Sequence, residues 1–183
     1  MNIRQTTIPG LVVAESTPRI DERGSFTRLY CKEELGEIIG TRQIVQINQS
    51  CTRVVGAVRG LHYQRGPHAE MKLVRCVKGR AWDVALDLRV GSPTFLRWHA
   101  EELSETNANM MVIPEGFAHG FQVLEEDSEL LYLHTAFYSP EAEGGIRPMD
   151  PGLSIDWPLA IEDISDRDRN HPLLNSEFTG LAV

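Results

Sequence analysis

The sequence predicts an all-β protein built as a sandwich or a closed barrel. Fifteen glycines and ten prolines punctuate short apolar runs of strand length along the 183 residues. No segment of about 12 residues or more sustains the apolar stripe of an amphipathic helix. Composition does not shift along the chain and there is no repeat or low-complexity linker, so we expect one domain over residues 1–183.

Eight runs in the sequence are predicted strands. They are IVQINQS (44–50), VRGLHYQ (58–64), MKLVRCV (71–77), AWDVALDL (81–88), GSPTF (91–95), MMVIP (110–114), GFQVL (120–124) and ELLYLHTAFY (129–138). The three residues KGR between the third and fourth runs predict a hairpin that joins them. Two other segments, KEELGEII (32–39) and DISDRD (163–168), predict short helices or turns.

The charge balance and the cysteines exclude several classes of protein. A formal net charge of −8, with no block of Lys or Arg, gives little support for nonspecific binding to nucleic acid or anionic lipid. No run approaches the roughly 20 apolar residues of a membrane-spanning helix, and the N-terminus lacks the apolar core of a signal peptide. Cys31, Cys51 and Cys76 stand far apart, which argues against a disulfide framework or a structural zinc site. We therefore expect a cytoplasmic protein.

Several predicted strands carry a polar face where a solid barrel core would need apolar side chains. The alternation of side chains along a strand defines these faces. They consist of Gln46, Asn48 and Ser50; of Gly60, His62 and Gln64, opposite Arg59, Leu61 and Tyr63; and of Tyr132, His134 and Tyr138, which share a side with Leu130 and Ala136. Lys72 shares a face with Val74 and Cys76, an unusual place for an ammonium group. A barrel whose interior is a ligand pocket explains all of these faces.

Each of these residues also has an ordinary structural explanation. A lone histidine on a strand, such as His62, is more often a hydrogen-bonded structural residue than a catalyst. A single tyrosine such as Tyr132 is commonly an amphipathic wall residue, and Lys72 would normally extend to solvent. Only the concentration of such side chains on several strands favours a functional site.

Metal binding is the first specific alternative. The segment PEGFAHG (114–120) places a proline, a glycine and His119 in a P-x-G-x-x-H arrangement that resembles the second motif of the cupins. Metal-binding cupins pair that histidine with an H-x-H and a glutamate, so that three or four ligands converge. Here the corresponding place holds His62, Tyr63 and Gln64, followed by Glu70, and the second imidazole is missing. We therefore expect no catalytic metal.

Nine motifs in a fixed order give the chain a resemblance to a known family. They are DERGSF (21–26), VQINQS (45–50), VRGLHYQ (58–64), MKLVRCVKG (71–79), DVALDLRVGSPTF (83–95), IPEGFAHGF (113–121), LYLHTAFYSP (131–140), IRPMDPGLSIDWP (146–158) and ISDRD (164–168). Over nearly its whole length the chain resembles the dTDP-4-dehydrorhamnose 3,5-epimerases, metal-free cupins of the nucleotide-sugar pathways that lead to L-rhamnose. The resemblance implies a cupin-type jelly-roll barrel with a few short helices, no cofactor, and a homodimer that exchanges N-terminal strands.

The resemblance also implies a substrate and a reaction. Members of that family act on a dTDP-linked 4-keto-6-deoxyhexose, whose C4 ketone acidifies the hydrogens on C3 and C5. By resemblance, His62 is the base, Asp168 fixes its tautomer, and Tyr132 is the acid on the opposite side of the ring. Lys72 is then expected to stabilise the negative charge that develops on the C4 oxygen.

Further residues are assigned to substrate binding by the same resemblance. The set comprises Arg23 and Arg59 for the diphosphate and sugar, Gln46 and Asn48 for the nucleotide, His119 for the sugar, and Tyr138 for stacking on the base. Arginines suit this role because a guanidinium group binds phosphate oxygens in a bidentate manner. In a dimer with exchanged strands, Arg23 and Phe26 are expected to serve the site of the neighbouring subunit.

Two alternatives stay open within this resemblance. Relatives that invert only C3 or only C5 of a related 4-keto-deoxysugar share most of the scaffold, so the motifs do not fix the number of inverted centres. A non-catalytic cupin that binds a sugar nucleotide would lack a reason to keep the whole acid and base set. Arg28 stands where family members commonly have an acidic residue near the nucleobase, which leaves the nucleobase preference open.

Overall fold

The computed structural model describes residues 1–175 and 177–183 and contains strands β1 to β13 and helices α1 and α2. In chain order these are β1 (Asn2–Gln5), β2 (Val12–Glu15), β3 (Arg19–Asp21), β4 (Gly24–Phe26), α1 (Gly36–Ile39), β5 (Gln46–Thr52), β6 (Val58–Gln64), β7 (Lys72–Lys78), β8 (Arg80–Asp87), β9 (Trp98–Ser104), β10 (Asn109–Ile113), β11 (Phe117–Val123), β12 (Ser128–His134), β13 (Glu143–Gly145) and α2 (Asp166–Arg169). The expected all-β fold with short helices is confirmed. Neither helix is long and apolar enough to cross a membrane.

The strands form two antiparallel sheets and a separate hairpin. The first sheet has the order β1-β2-β10-β7-β12-β5, and the second has the order β13-β6-β11-β8-β9. Strands that are distant in sequence are neighbours in both sheets, as in a jelly-roll barrel. The hairpin of β3 and β4 pairs only with itself among the described strands, and its residues are all exposed.

Apolar side chains from the two sheets meet inside the barrel. Val74 and Met111 of the six-stranded sheet pack in one buried cluster with Ala85, Phe117 and Phe121 of the five-stranded sheet. This cluster fills one part of the interior, and the rest is the cavity described below.

The outer face of each sheet is also covered. Leu35, the N-cap of α1, and Ile39, its last residue, pack with Leu73 on the outside of the six-stranded sheet. Leu153 and Leu181, from the C-terminal part of the chain, join a cluster on the outside of the five-stranded sheet. Strands that are covered on both faces have nearly continuous apolar sequences.

The predicted hairpin between the runs 71–77 and 81–88 is wrong. Strand β7 lies in the six-stranded sheet and β8 in the five-stranded sheet, so the two strands face each other across the core. The chain crosses between the sheets at Gly79, whose φ is +72°. A side chain at this position would have its Cβ 2.5 Å from Oγ of Ser128, so only glycine fits the turn.

Two other strand predictions need correction. The run 91–95 is a turn, because Ser92 and Thr94 direct their hydroxyls to the carboxylate of Asp87, each at 2.6 Å. Strand β12 ends at His134 and does not continue to 138. Strand β9 was not expected, because its sequence WHAEELS is mostly polar. The other predicted strands and both helical segments are confirmed within a few residues.

Candidate active site

A cavity of about 560 Å³ lies between the two sheets. Nine of the residues expected at the site line it: Gln46, Asn48, Arg59, His62, Lys72, His119, Tyr132, Tyr138 and Asp168. They come from strands of both sheets, from the loop after β12, and from α2. Arg23 and Phe26 do not line this cavity, because they lie on the exposed β3–β4 hairpin, where Arg23 pairs with Asp21.

A bulge in β6 places Arg59 and His62 on the same side of the sheet. His62 pairs with His119 and Arg59 pairs with Phe121, so two residues of β6 oppose the single residue Gly120 of β11. The alternation of side chains had predicted that Arg59 points away from His62, and this prediction is wrong. Because His119 and Phe121 share a face of β11, their partners share it too.

Two glycines allow the backbones to approach at this bulge. Gly60 has φ +120°, and a Cβ at that position would lie 2.5 Å from Cα of Gly120. A Cβ on Gly120 would lie 2.6 Å from the carbonyl oxygen of Arg59. Any larger residue at either position would force the strands apart and displace the two side chains beside the bulge.

His62 and Asp168 form a hydrogen-bonded pair at the cavity wall. Nε2 of His62 lies 2.7 Å from Oδ1 of Asp168, and the backbone N–H of Gly60 donates to Oδ2 at 3.1 Å. Burial opposes ionisation of the Asp168 carboxyl, but the hydrogen bond and charge of His62 outweigh it and lower its pKa. An ionised carboxylate can only accept, so Nε2 of His62 carries the proton and Nδ1 is left to accept one from a ligand.

The local fold of α2 positions Asp168. Ser165 caps the helix, and its Oγ accepts a hydrogen bond from the backbone N–H of Asp168 at 3.1 Å. A parallel bridge between Val58 and Ile164 holds the preceding segment beside β6. The side chain of Asp168 is 5% exposed, so its contact with His62 is shielded from solvent.

A second histidine touches this pair and was not expected from the sequence. Nε2 of His171 lies 3.6 Å from the same Oδ1 of Asp168, and its ring centroid lies 5.9 Å from that of His62. Burial lowers the pKa of His171, and the neighbouring His62 lowers it further. The only available signal was the position of His171 three residues after Asp168, beyond a helix of four residues.

Tyr132 lies on the opposite sheet from His62. Its hydroxyl is 2.9 Å from Oγ of Ser50 on the neighbouring strand β5, and its ring meets His119 edge-on with centroids 6.0 Å apart. Burial raises the pKa of the Tyr132 phenol well above its ordinary value. The phenol is therefore protonated at neutral pH and is able to donate a proton into the cavity.

His119 is held by an acid that was not expected at the site from the sequence. Its Nε2 lies 2.7 Å from Oδ1 of Asp83 on the adjacent strand β8. Asp83 is fully buried, and burial raises the pKa of its carboxyl against the effect of His119. A carboxylate inside the apolar run AWDVALDL was the available signal, since a buried acid requires a partner.

Lys72 is held at the cavity by an ion pair with Glu70, a second acid that was not expected at the site. Nζ of Lys72 lies 3.1 Å from Oε1 of Glu70, while Oε2 of Glu70 lies 2.7 Å from Nδ1 of His134. Burial opposes ionisation of Glu70, but the hydrogen bond from His134 and the charge of Lys72 outweigh it and lower its pKa. The ammonium also lies 3.5 Å from the carbonyl oxygen of His62, so it spans the interior between the sheets.

Tyr138 lies at the mouth of the cavity and is 53% exposed. It is in the loop after β12, so it does not share a strand face with Tyr132 as expected. Its backbone N–H donates to Oε1 of Gln46, and its hydroxyl donates to Glu143 at 2.7 Å. Gln64 holds the same loop from below by accepting from the backbone N–H of Ser139 at 2.6 Å.

The imidazoles that a metal-binding cupin would use are already engaged in other contacts. His119 pairs with Asp83, and His62 with Asp168. Within residues 1–175 and 177–183, one group has three potential ligand atoms close together, within 4.8 Å of one another, and it consists of His62, Asp168 and His171.

The geometry of the cavity agrees with a comparison of the sequence with known families. The sequence model described as dTDP-4-dehydrorhamnose 3,5-epimerase matches residues 5–176. The chain belongs to this family. It is 42% identical over 177 residues to the dTDP-4-dehydrorhamnose 3,5-epimerase of Salmonella typhimurium, with 96% of both chains covered.

Solved structures in the epimerase family share the fold. The dTDP-6-deoxy-D-glucose-3,5-epimerase of Legionella pneumophila Philadelphia 1, in complex with dTDP-4-keto-L-rhamnose, superposes with a TM-score of 0.90 at 39% identity, and 98% of this chain and 97% of that chain are covered. A 3'-monoepimerase of Streptomyces bikiniensis in complex with dTDP-quinovose superposes with a TM-score of 0.85 at 33% identity, with 92% and 85% covered. The expected cupin-type jelly roll of the epimerases is thereby confirmed.

Proposed function

We propose that the protein inverts C3 and C5 of dTDP-4-dehydro-6-deoxy-D-glucose to give dTDP-4-dehydro-L-rhamnose. The observation that carries this proposal is the arrangement of an acid and a base across one cavity. His62, paired with Asp168 of α2, lines it from the five-stranded sheet, and the protonated phenol of Tyr132 lines it from the six-stranded sheet. A sugar ring between the two sheets would present one face to each group.

Proton transfer begins at a carbon next to the C4 ketone. Nδ1 of His62 takes a proton from C3 or C5. The electron pair of the C–H bond forms a double bond to C4, and the carbonyl oxygen takes the negative charge of the enolate. Asp168 stabilises the resulting imidazolium. The ammonium of Lys72 donates a hydrogen bond to the enolate oxygen, an interaction that is stronger in a cavity with little water than in bulk solvent.

Inversion is completed from the other face of the ring. The phenol of Tyr132 gives its proton to the carbanionic carbon, the enolate electrons return to that carbon, and the C4 ketone is restored. His62 is then protonated and Tyr132 is a phenolate, so His62 must lose a proton to solvent and Tyr132 must gain one before the second centre is inverted, and again before the next turnover. The raised pKa of Tyr132 favours this protonated starting state.

The nucleotide part of the substrate is placed by the residues at the cavity mouth. Arg59 supplies a guanidinium group for the diphosphate and the sugar. Gln46 and Asn48, on β5, face the same opening and are assigned to the nucleotide, and Tyr138 to stacking on the base. His119, which Asp83 orients, is assigned to the sugar.

A homodimer with exchanged N-terminal strands forms part of the proposal. The exposed hairpin carries Ile20 and Phe26, which are 79% and 72% exposed. Strand β5 is an edge of the six-stranded sheet, and its Ile47 is 60% exposed. An unpaired sheet edge and two exposed apolar side chains on the hairpin are features that a second copy would bury. Arg23 and Phe26 would then contribute to the neighbouring site.

Cys31, Cys51 and Cys76 are free thiols, which supports a cytoplasmic location.

Incubation with dTDP-4-keto-6-deoxyglucose in deuterated water tests the function. The proposal expects deuterium at both C3 and C5 and an L-configured product, read by NMR. Deuterium at a single carbon would favour a mono-epimerase, the second candidate, for which the similarity to the Streptomyces bikiniensis 3'-monoepimerase is the specific observation. No incorporation above that of His62→Ala would leave only a binding protein.

A further inference from the structure

Three potential metal ligands converge where the catalytic pair meets His171. Nε2 of His62 and Nε2 of His171 approach the same oxygen of Asp168, at 2.7 and 3.6 Å. All three ligand atoms lie within 4.8 Å of one another. His171 has no role in the reaction proposed above, so its placement beside the pair is unexplained by the chemistry.

His171 is held in this position by its surroundings. Its side chain is 12% exposed, and its Nε2 is buried without a hydrogen-bond partner among the described residues. Arg147 donates from Nε to the carbonyl oxygen of His171 at 3.0 Å. Gly145 leaves room for the ring, because a Cβ there would lie 2.2 Å from Nε2 of His171. A buried imidazole nitrogen that lacks a partner beside a carboxylate is an available ligand.

We propose that His62, Asp168 and His171 bind one divalent transition-metal ion of the Zn²⁺ type, and that this ion inhibits the enzyme. Two imidazoles and one carboxylate are a common zinc ligand set, with a further position filled by water. The site differs from the metal site of other cupins, because His119 is paired with Asp83 and takes no part in it.

Zinc binding requires the three ligand atoms to adjust their separations. Zinc lies about 2.0 to 2.2 Å from nitrogen and oxygen ligands, so tetrahedral ligands are separated by roughly 3.3 Å. The separation of 2.7 Å between His62 and Asp168 must open, and that of 3.6 Å between His171 and Asp168 must close. These are changes of about 0.6 Å and about 0.3 Å, and the two imidazole nitrogens, which lie within 4.8 Å of each other, must approach by up to about 1.5 Å.

Inhibition follows from the tautomer of His62. In the metal-free pair, Nε2 carries the proton and Nδ1 accepts a proton from the substrate. When Nε2 binds a metal, the neutral imidazole must hold its proton on Nδ1, and that nitrogen is no longer able to act as a base. The ion takes the place of the shared proton between His62 and Asp168. The inhibitory effect rests on the proposed function, whereas the metal binding does not.

Cobalt binding provides a test that is independent of activity. The full-length protein, treated with a chelator and dialysed, is titrated with Co²⁺, whose visible absorption reports imidazole and carboxylate ligation of low coordination number. Zn²⁺ is then added as a competitor. We expect one site per chain, and a loss of affinity of at least about tenfold in His171→Ala and in His171→Gln, since each lacks one ligand. The control is His68→Ala, because His68 is exposed and lies outside the cavity.

The site would be overturned if all four proteins bound Co²⁺ with the same affinity, and likewise Zn²⁺. The four proteins are the wild type, His68→Ala and the two His171 variants. The two His171 variants differ in volume, and a thermal melt of each verifies that it is folded.

The inhibitory part is tested by the ratio of epimerase rates with and without Zn²⁺ in each protein, so that changes in the basal rate cancel. We expect Zn²⁺ to inhibit the wild type and His68→Ala, with chelator restoring the rate, and not the His171 variants. Full activity of a wild-type protein saturated with Zn²⁺ would overturn the inhibition while leaving the binding site intact.

Discussion

Asp168 accepts a hydrogen bond of 2.7 Å from His62, although 106 residues separate the two in sequence. The replacement Asp168→Asn keeps the size of the side chain and removes the charge that, in the proposed reaction, stabilises the imidazolium of His62. We expect kcat to fall on the order of 10³-fold, with little change in KM. The control is Asp166→Asn, an exposed acid in the same helix, and it should leave steady-state rates nearly unchanged. If the two variants had equal kcat values, Asp168 would have no part in the mechanism.

Tyr132→Phe separates the two halves of the reaction. The variant keeps the base and should still exchange C–H hydrogen with deuterated water. It lacks the phenol that, in the proposed reaction, returns a proton from the opposite face, so net inversion should be lost. The ratio of deuterium incorporation to epimer yield, measured by NMR, checks this. Tyr30→Phe is a suitable control, because Tyr30 packs on the outside of the six-stranded sheet. An unaltered ratio in Tyr132→Phe would remove the phenol from its role.

The sequence predicted which residues line the cavity better than it predicted how the strands that carry them are arranged. Alternation of side chains identified the polar interior face of Gln46, Asn48 and Ser50, which all line the cavity. The same rule placed Arg59 on the wrong side, because it takes no account of the bulge at Gly60. Two runs joined by three residues also predicted a hairpin, since local sequence does not report that two strands face each other from different sheets.

Supporting residues were missed although two of them lie close in sequence to a residue expected at the site. Glu70 stands two residues before Lys72 and His171 three residues after Asp168, but such spacing alone does not predict a contact, and the remaining contacts are long-range. Glu70 is 64 residues from His134, and Asp83 is 36 residues from His119. The requirement that a buried acid has a partner would have selected Asp83 as a candidate but not its partner. Such pairs follow from the topology of the two sheets.

Glu70 is expected to act as a positioning residue through Lys72. Its carboxylate contacts both Lys72 and His134. Glu70→Gln removes the charge, so the ammonium is no longer held near the C4 oxygen, and kcat should fall on the order of tenfold with KM less affected. Glu70→Asp should recover part of the rate if the charge matters. The control is Glu129→Gln, since Glu129 pairs with Lys78 away from the cavity. A pure loss of stability, with kcat retained in the folded fraction, would contradict this role.

Gly60→Ala tests the bulge that brings Arg59 beside His62. Its Cβ would lie 2.5 Å from Cα of Gly120 in a backbone with φ +120°. We expect the free energy of unfolding to fall by at least about 2 kcal/mol, in urea denaturation. Gly24→Ala is the matched control: its φ of +131° is strained for alanine as at Gly60, but its Cβ would meet no atom within 4 Å. It should cost only about 1 kcal/mol. Equal losses would show that backbone strain, not the close approach, sets the requirement.

Asp87 should make the stability depend on pH in acid solution. It is fully buried, and the hydrogen bonds from Arg89, Ser92 and Thr94 outweigh that burial and hold its pKa at about 2. Because the folded pKa lies below the unfolded value of 3.8, the stabilisation is present above about pH 4 and is lost as the pH falls towards 2. Asp87→Asn should therefore lower the free energy of unfolding at pH 7 by about 2 kcal/mol, and the difference from the wild type should shrink below pH 4. The control Asp156→Asn changes an exposed acid and should show neither effect. A difference that stays constant from pH 7 to about pH 2 would assign the effect to packing and not to the charge of Asp87.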